Sequence, residues 1–168
     1  MLADADRRIP PALVVEADQK FFHSSLEHAA VVVQGRHSHE GGARADTRHR
    51  LVVTRSVPSL APHPTLPKAL LWNPQGASLE AAWVTLGAGD GMLAVIGGGD
   101  VNQLFLDRFD AFHLSRVAGV RLPGGVRVFP GVGPNRTPED ILAQHGLKPG
   151  PRRMLDPAAG ATLVTWQR

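Results

Sequence analysis

Val95-Ile96-Gly97-Gly98-Gly99-Asp100-Val101 joins an apolar strand to a helix through three consecutive glycines. Met92 to Ile96 is an almost unbroken apolar run, the pattern of a strand covered on both faces. From Asp100 the period changes: Val101, Leu104 and Phe105 fall at i, i+3 and i+4, on one face of a helix. A strand that turns at once into a helix is the junction expected where the two alternate. The glycines also leave backbone amides bare at a helix N-terminus, where the dipole favours an anion such as a pyrophosphate. Turns of this kind also serve only to bring backbones close, so by itself the motif leaves nucleotide binding and plain packing both open.

The rest of the chain repeats the alternation. Asp18 to Leu26 reads as a helix, Ala30–Val33 as a buried strand ending at Gln34-Gly35, and Leu51–Thr54 and Ala69–Trp72 as further strands. Ser78 is placed to cap a helix over Leu79–Trp83. Ala111–Val117 alternates as a strand. Thr137-Pro138-Glu139-Asp140 supplies a cap, a first-position proline and first-turn acids for a helix closed by Gly146, and Ala161–Trp166 reads as a terminal strand. Strands rich in Val and Leu, alternating with helices, indicate an α/β domain with a mostly parallel sheet. The Pro/Gly-rich stretches 57–67, 121–136 and 147–160 read as surface loops within a single domain spanning 1–168.

Composition narrows the function classes. With no cysteine among 168 residues, disulfides, thiolate metal sites and cysteine nucleophiles are excluded, and a reducing, cytoplasmic compartment is compatible. The opening residues Met1–Arg8 carry early acids and no apolar core, unlike a signal peptide. No apolar run approaches the roughly eighteen residues of a membrane span, so no membrane partner is expected. The net charge of +3 is spread along the chain, and there is no tyrosine for base stacking, so no nucleic-acid partner is expected either.

Gly35-Arg36-His37-Ser38 follows a buried strand, and Arg48-His49-Arg50-Leu51-Val52-Val53-Thr54-Arg55 brackets the next. Together with Val95–Gly99, Phe112-His113-Leu114-Ser115-Arg116 and Val128-Phe129-Pro130, the set resembles the dihydrofolate reductase superfamily, which includes the reductase domain of the bifunctional riboflavin-biosynthesis deaminase–reductase. The likeness runs over about residues 14–130 and is loose beyond them. It implies a three-layer α/β fold with a mostly parallel central sheet between helices, and an NADPH-dependent oxidoreductase. That enzyme would reduce a pterin or folate-like substrate, or a pyrimidine of the riboflavin pathway. Riboflavin-type reductases often form dimers, so a homodimer is expected. The other reading is a non-catalytic NADP-binding module.

The resemblance also assigns residues. Gly35, Arg36, His37 and Ser38 form a turn at a helix N-terminus that holds the NADPH phosphates through guanidinium, hydroxyl and backbone donors. A solvated loop is the plain reading of the same residues, and His37-Ser38-His39-Glu40 as metal ligands is disfavoured because no partner motif accompanies it. Thr54 and Arg55 read the adenosine 2′-phosphate, although an arginine after a strand is also ordinary surface charge. Ile96, Gly97, Gly98, Gly99, Asp100 and Val101 approach the pyrophosphate, with Asp100 as the helix N-cap. On the substrate side, Asp18 supports protonation of the heterocycle, Phe22 packs on it, Arg48 binds a carboxylate and Ser115 backs Asp18. A carboxyl withdrawn from water holds a proton more readily, the chemistry a general acid needs. Asp18 equally suits a simple helix cap.

This sequence departs from the family in two places. Asn102 stands where an aromatic residue is usual, and the central strand that normally opens the fold is missing before Met1-Leu2-Ala3-Asp4. A gap in mid-sheet would strand two rows of backbone donors and acceptors. Ala12-Leu13-Val14-Val15, a partner chain, or a true start upstream of Met1 could fill it, and the last is our expectation.

Overall fold

The elements follow in the order α1 (Glu16–Leu26), β1 (Ala29–Gly35), β2 (His49–Val53), β3 (Leu60–Pro62), β4 (Ala69–Trp72), α2 (Leu79–Leu86), β5 (Met92–Val95), α3 (Gly99–Leu104), β6 (Ala111–Val117), α4 (Pro138–Gln144), β7 (Lys148–Pro149), β8 (Arg153–Asp156) and β9 (Ala161–Gln167), with the apolar runs of β1, β2 and β4 in strands and side-chain caps opening α2 and α4. These elements come from a computed structural model that describes residues 2–38, 40–41 and 45–168. The chain divides into two compact units, one of Met1–Phe22 with Asn102–Arg168, the other of His23–Val101.

The unit His23–Val101 is built on a five-stranded sheet of order β3-β4-β2-β1-β5. Strands β2, β1, β5 and β4 run parallel, and only β3 is antiparallel to its neighbour. Val31, Val32 and Val33 of β1 are wholly buried, as a central parallel strand requires. Helix α2 packs against β2 and β4. Its N-terminus is capped by the Ser78 hydroxyl, which accepts from the Ala81 N–H at 3.1 Å, and Gly87 ends it in the left-handed conformation at φ 67°.

The other unit carries a wholly antiparallel sheet, β6-β9-β7 with β8 also paired to β9. Its core is Leu106, Leu114, Val128, Phe129, Ile141, Leu142, Leu147 and Trp166. Helix α4 begins at the predicted cap, which the structure completes as a reciprocal box: Thr137 Oγ1 accepts from Asp140 N–H, and the Asp140 carboxylate accepts from Thr137 N–H. No helix among the described residues is long and apolar enough to cross a membrane.

Several expectations need correcting. The mostly parallel sheet expected from the sequence is that of the unit His23–Val101, and the antiparallel sheet of the other unit adds to it. Met92–Ile96 is not covered on both faces: Met92 is 46% exposed and Leu93 to Ile96 are half-buried, because β5 ends its sheet with β1 as its neighbour. Ala12–Val15 does not supply a strand. Pro10 and Pro11 fix the backbone there, and Pro11–Leu13 forms a short 3-10 turn. Strands β3, β7 and β8 lie within stretches expected to be loops, held by backbone pairing that proline and glycine content concealed. Asp100 lies within the first turn of α3, which begins at Gly99, so it favours the helix dipole without being its cap.

Candidate functional site

The parallel strands β1, β2 and β5 end side by side at their carboxyl termini. Gly35, the last residue of β1, is in register with Val53 of β2, one residue before Thr54, and Val33 is in register with Val95 of β5. From β1 the chain goes to β2 on one side, while β5 flanks β1 on the other. Such a reversal opens a crevice beyond the strand ends, which is where open α/β sheets bind ligands.

Two loops meet at this crevice. Gly35 N–H donates to the Gly97 carbonyl at 2.8 Å, and Ile96 N–H donates to the Val33 carbonyl at 2.9 Å. A Cβ on Gly35 would sit 3.5 Å from Val101 Cγ2, 3.7 Å from Gly98 N and 3.8 Å from Ser38 Oγ. The bare face of Gly35 is therefore flanked by an amide and a hydroxyl, both able to donate. Gly98 has open space where its own Cβ would be, and Gly97 has a φ of 94° that favours glycine. Two donors beside a glycine, on loops ending parallel strands, are the donor set an extended phosphate needs.

The neighbouring residues extend that surface. Arg36 and His37 are exposed, with Arg36 Nε donating to His37 Nε2 at 3.0 Å. Thr54 is buried and its Oγ1 meets Ser56 Oγ at 2.9 Å and Ser56 N–H at 3.1 Å, a local turn that leads the chain outward through exposed Arg55. The turn at 35–38 does not open a helix as the family pattern implies. Among the described residues the next helical segment is the 3-10 turn Ala45–Thr47, because the chain is first drawn inward at Glu40. His39 lies outside the described residues.

What draws it inward went unseen in the sequence. Glu40 is buried and accepts from Arg48 Nε at 2.8 Å and from Arg50 Nη2 at 2.6 Å. Arg50, at 3% exposure, also donates to the Gln34 side-chain carbonyl and to the Ala45 carbonyl at 2.9 Å. Arg48 spends a second donor, Nη1, on the Leu26 carbonyl at 2.6 Å. The guanidinium expected to bind a substrate carboxylate is thus already held on two sides. The only prior signal was two arginines flanking a histidine where a strand begins, a pattern equally at home on a surface.

In the other unit, Ser115 Oγ of β6 donates to Asp18 Oδ1 of α1 at 2.5 Å. The structure brings this sequence-predicted pair together across 97 residues. Asp18 lies inside the first turn of α1, so it is not the helix cap. Two residues before Ser115 on the same face of β6, His113 packs edge-on against Phe21, with ring centroids 5.0 Å apart. The Arg153 guanidinium lies over the Phe21 ring, 5.0 Å from its centroid. Removal of water from the imidazole, and the nearby Arg153 charge, hold the His113 pKa below its usual value. Phe22, the predicted aromatic, is the half-buried neighbour of Phe21 on α1. Asn102 is buried and donates from Nδ2 to the Val128 carbonyl at 3.0 Å, which ties α3 to the 128–129 segment.

No protein-family model matches the sequence, and no curated protein matches it. Solved structures similar to this chain include a dihydrofolate reductase from Enterococcus faecalis complexed with NADP(H) and RAB-propyl. That match has 16% identity and a TM-score of 0.55, over 90% of this chain and 80% of that one. Another is a diaminohydroxyphosphoribosylaminopyrimidine deaminase/5-amino-6-(5-phosphoribosylamino)uracil reductase from Thermotoga maritima, at 15% identity and a TM-score of 0.58 over 99% of this chain. This chain spans about half of that protein, 52% of its length. The chain has the dihydrofolate reductase-like α/β fold.

Proposed function

We propose that the chain is an NADPH-dependent reductase acting on a small heterocyclic substrate, of the pterin or folate type or a pyrimidine of the riboflavin pathway. The observation that carries this reading is the meeting of the 35–38 turn and the 97–99 loop beside Gly35, at the carboxyl ends of parallel strands. Gly35, Ser38 and Gly97 to Gly99, with the α3 residues Asp100 and Val101 behind them, hold the phosphates. Arg36 and His37 add charge and donors at the rim, and Ile96 supports the loop. Thr54 and Arg55 receive the 2′-phosphate. Bound NADPH supplies a hydride.

In the other unit, Asp18 orients and helps protonate the heterocycle. Ser115 holds Oδ1, so contact with a ring nitrogen falls to Oδ2. Phe22 offers an apolar face one helical turn on. Arg48 contributes to substrate binding only through what Glu40 and the Leu26 carbonyl leave unused. Both similar solved structures are of reductases, one of them complexed with NADP(H), which supports the reading.

A steady-state assay of NADPH oxidation with reduced pteridine and aminopyrimidine acceptors tests it. Turnover by the native chain, lowered at least about a hundredfold in Asp18→Asn with NADPH affinity unchanged, is the expected result, since general acid catalysis contributes on the order of a hundredfold or more. Buried Asn102, in place of an aromatic residue, favours the second reading, an NADP-binding module without chemistry. Tight NADPH binding with no turnover on either acceptor class would select it.

A further inference from the structure

The network of Gln34, Glu40 and Arg50 lies directly behind the 35–38 turn, and its chemistry is more than burial requires. Arg50 anchors on Glu40 and donates to the Gln34 side-chain carbonyl. Gln34 then donates through Nε2 to the Ser38 main-chain carbonyl at 2.7 Å. Ser38 N–H in turn donates to the Gly35 carbonyl at 2.9 Å, and Gly35 N–H to Gly97 at 2.8 Å. The amide side chain thus runs as a relay with one orientation. Its carbonyl must face Arg50, so its NH2 must face Ser38. The ion pair fixes which way Gln34 points, and Gln34 fixes where the Ser38 carbonyl, and hence the Ser38 amide and hydroxyl, lie.

We propose that Gln34, oriented by the buried Arg50–Glu40 pair, is a positioning residue that holds the 35–38 turn in its phosphate-binding shape. The inference rests on the reading of that turn as a dinucleotide phosphate site and names the device that keeps it pre-formed. A preorganised turn spends less binding energy on ordering itself. Among the described residues Glu40 faces two guanidiniums, so the network also sets excess positive charge behind the phosphates.

Two substitutions separate the relay from mere packing. Gln34→Met keeps the volume and removes both bonds. Gln34→Glu keeps an acceptor for Arg50 but has no donor for Ser38. Each variant is titrated with NADPH and with adenosine 2′-phosphate, a probe that reaches Thr54 and Arg55 without any pyrophosphate. Both variants are expected to weaken NADPH about ten- to a hundredfold, the range of one or two charge-linked hydrogen bonds, with adenosine 2′-phosphate binding unchanged. Wild-type affinity for NADPH in Gln34→Glu, or parallel losses of both probes, overturns the positioning role and leaves the cofactor reading standing. A native chain that binds neither probe overturns the cofactor reading itself, and this inference with it.

Discussion

His113 shows how a single side chain is defined by neighbours that are distant in sequence. Phe21 of α1 packs against its ring at a steep angle, Arg153 of β8 lies nearby, and Thr165 Oγ1 of β9 meets Nδ1 at 2.9 Å. Its folded pKa lies below 6.5, so between that pKa and about 6.5 the unfolded chain binds more protons than the folded one. Folding stability is therefore expected to fall as pH drops through this window, and to lose no more from this group below the folded pKa. Urea unfolding from pH 5 to 7.5, with His113→Phe beside the native chain, checks this (about half-unit steps suffice). The variant, which keeps a ring against Phe21, should show the shallower slope; equal slopes would contradict the assignment. The sequence made the Asp18–Ser115 pairing legible only through the family resemblance. It concealed His113, Phe21 and Arg153, because an alternating strand does not say what will stand across from it. It likewise could not show that Arg48 faces Glu40, since an ion pair eight residues apart depends on how the intervening chain turns.

Elements with local causes were the legible ones. Ala69–Trp72 and Ala111–Val117 form over the residues their apolar patterns mark, and α4 starts where its cap, proline and acids predict. The capping box supplies a clean test, since Thr137→Ala removes the hydroxyl that accepts from Asp140 N–H. It should destabilise the chain by about 1 kcal/mol in urea unfolding, with the slope against denaturant unchanged. No loss of stability would mean that burial of Ile141 and Leu142 alone holds the helix. Elements with non-local causes are not legible in this way. Strands β3 and β8 contain Pro62 and Arg153 and lie in segments rich in turn residues, yet each finds a partner strand. The sequence marks strand β5 but not its cover, because a run such as Met92–Val95 looks the same in mid-sheet and at an edge.

At the scale of the molecule, the order β3-β4-β2-β1-β5 gives the glycines their meaning. A sequence can place Gly35 after one strand and Gly97 after another, but not show that the strands are neighbours. Pairing of β1 with β5 brings Gly35 N–H onto the Gly97 carbonyl and lines the gap with Ser38 Oγ and Gly98 N. The fold is legible in outline because strands and helices alternate; the second sheet is not, because the antiparallel pairing of β6 with β9 joins segments far apart in sequence. The central claim is that this gap and the Thr54–Arg55 corner bind NADPH. Titration of the native chain with NADPH and NADH, followed by nicotinamide fluorescence, tests it most directly when Arg55→Ala is run alongside. NADPH should bind about ten- to a hundredfold more tightly than NADH, and Arg55→Ala should erase most of that preference while leaving NADH binding as it was. Absence of NADPH binding, or equal affinity for the two nucleotides, would contradict the account.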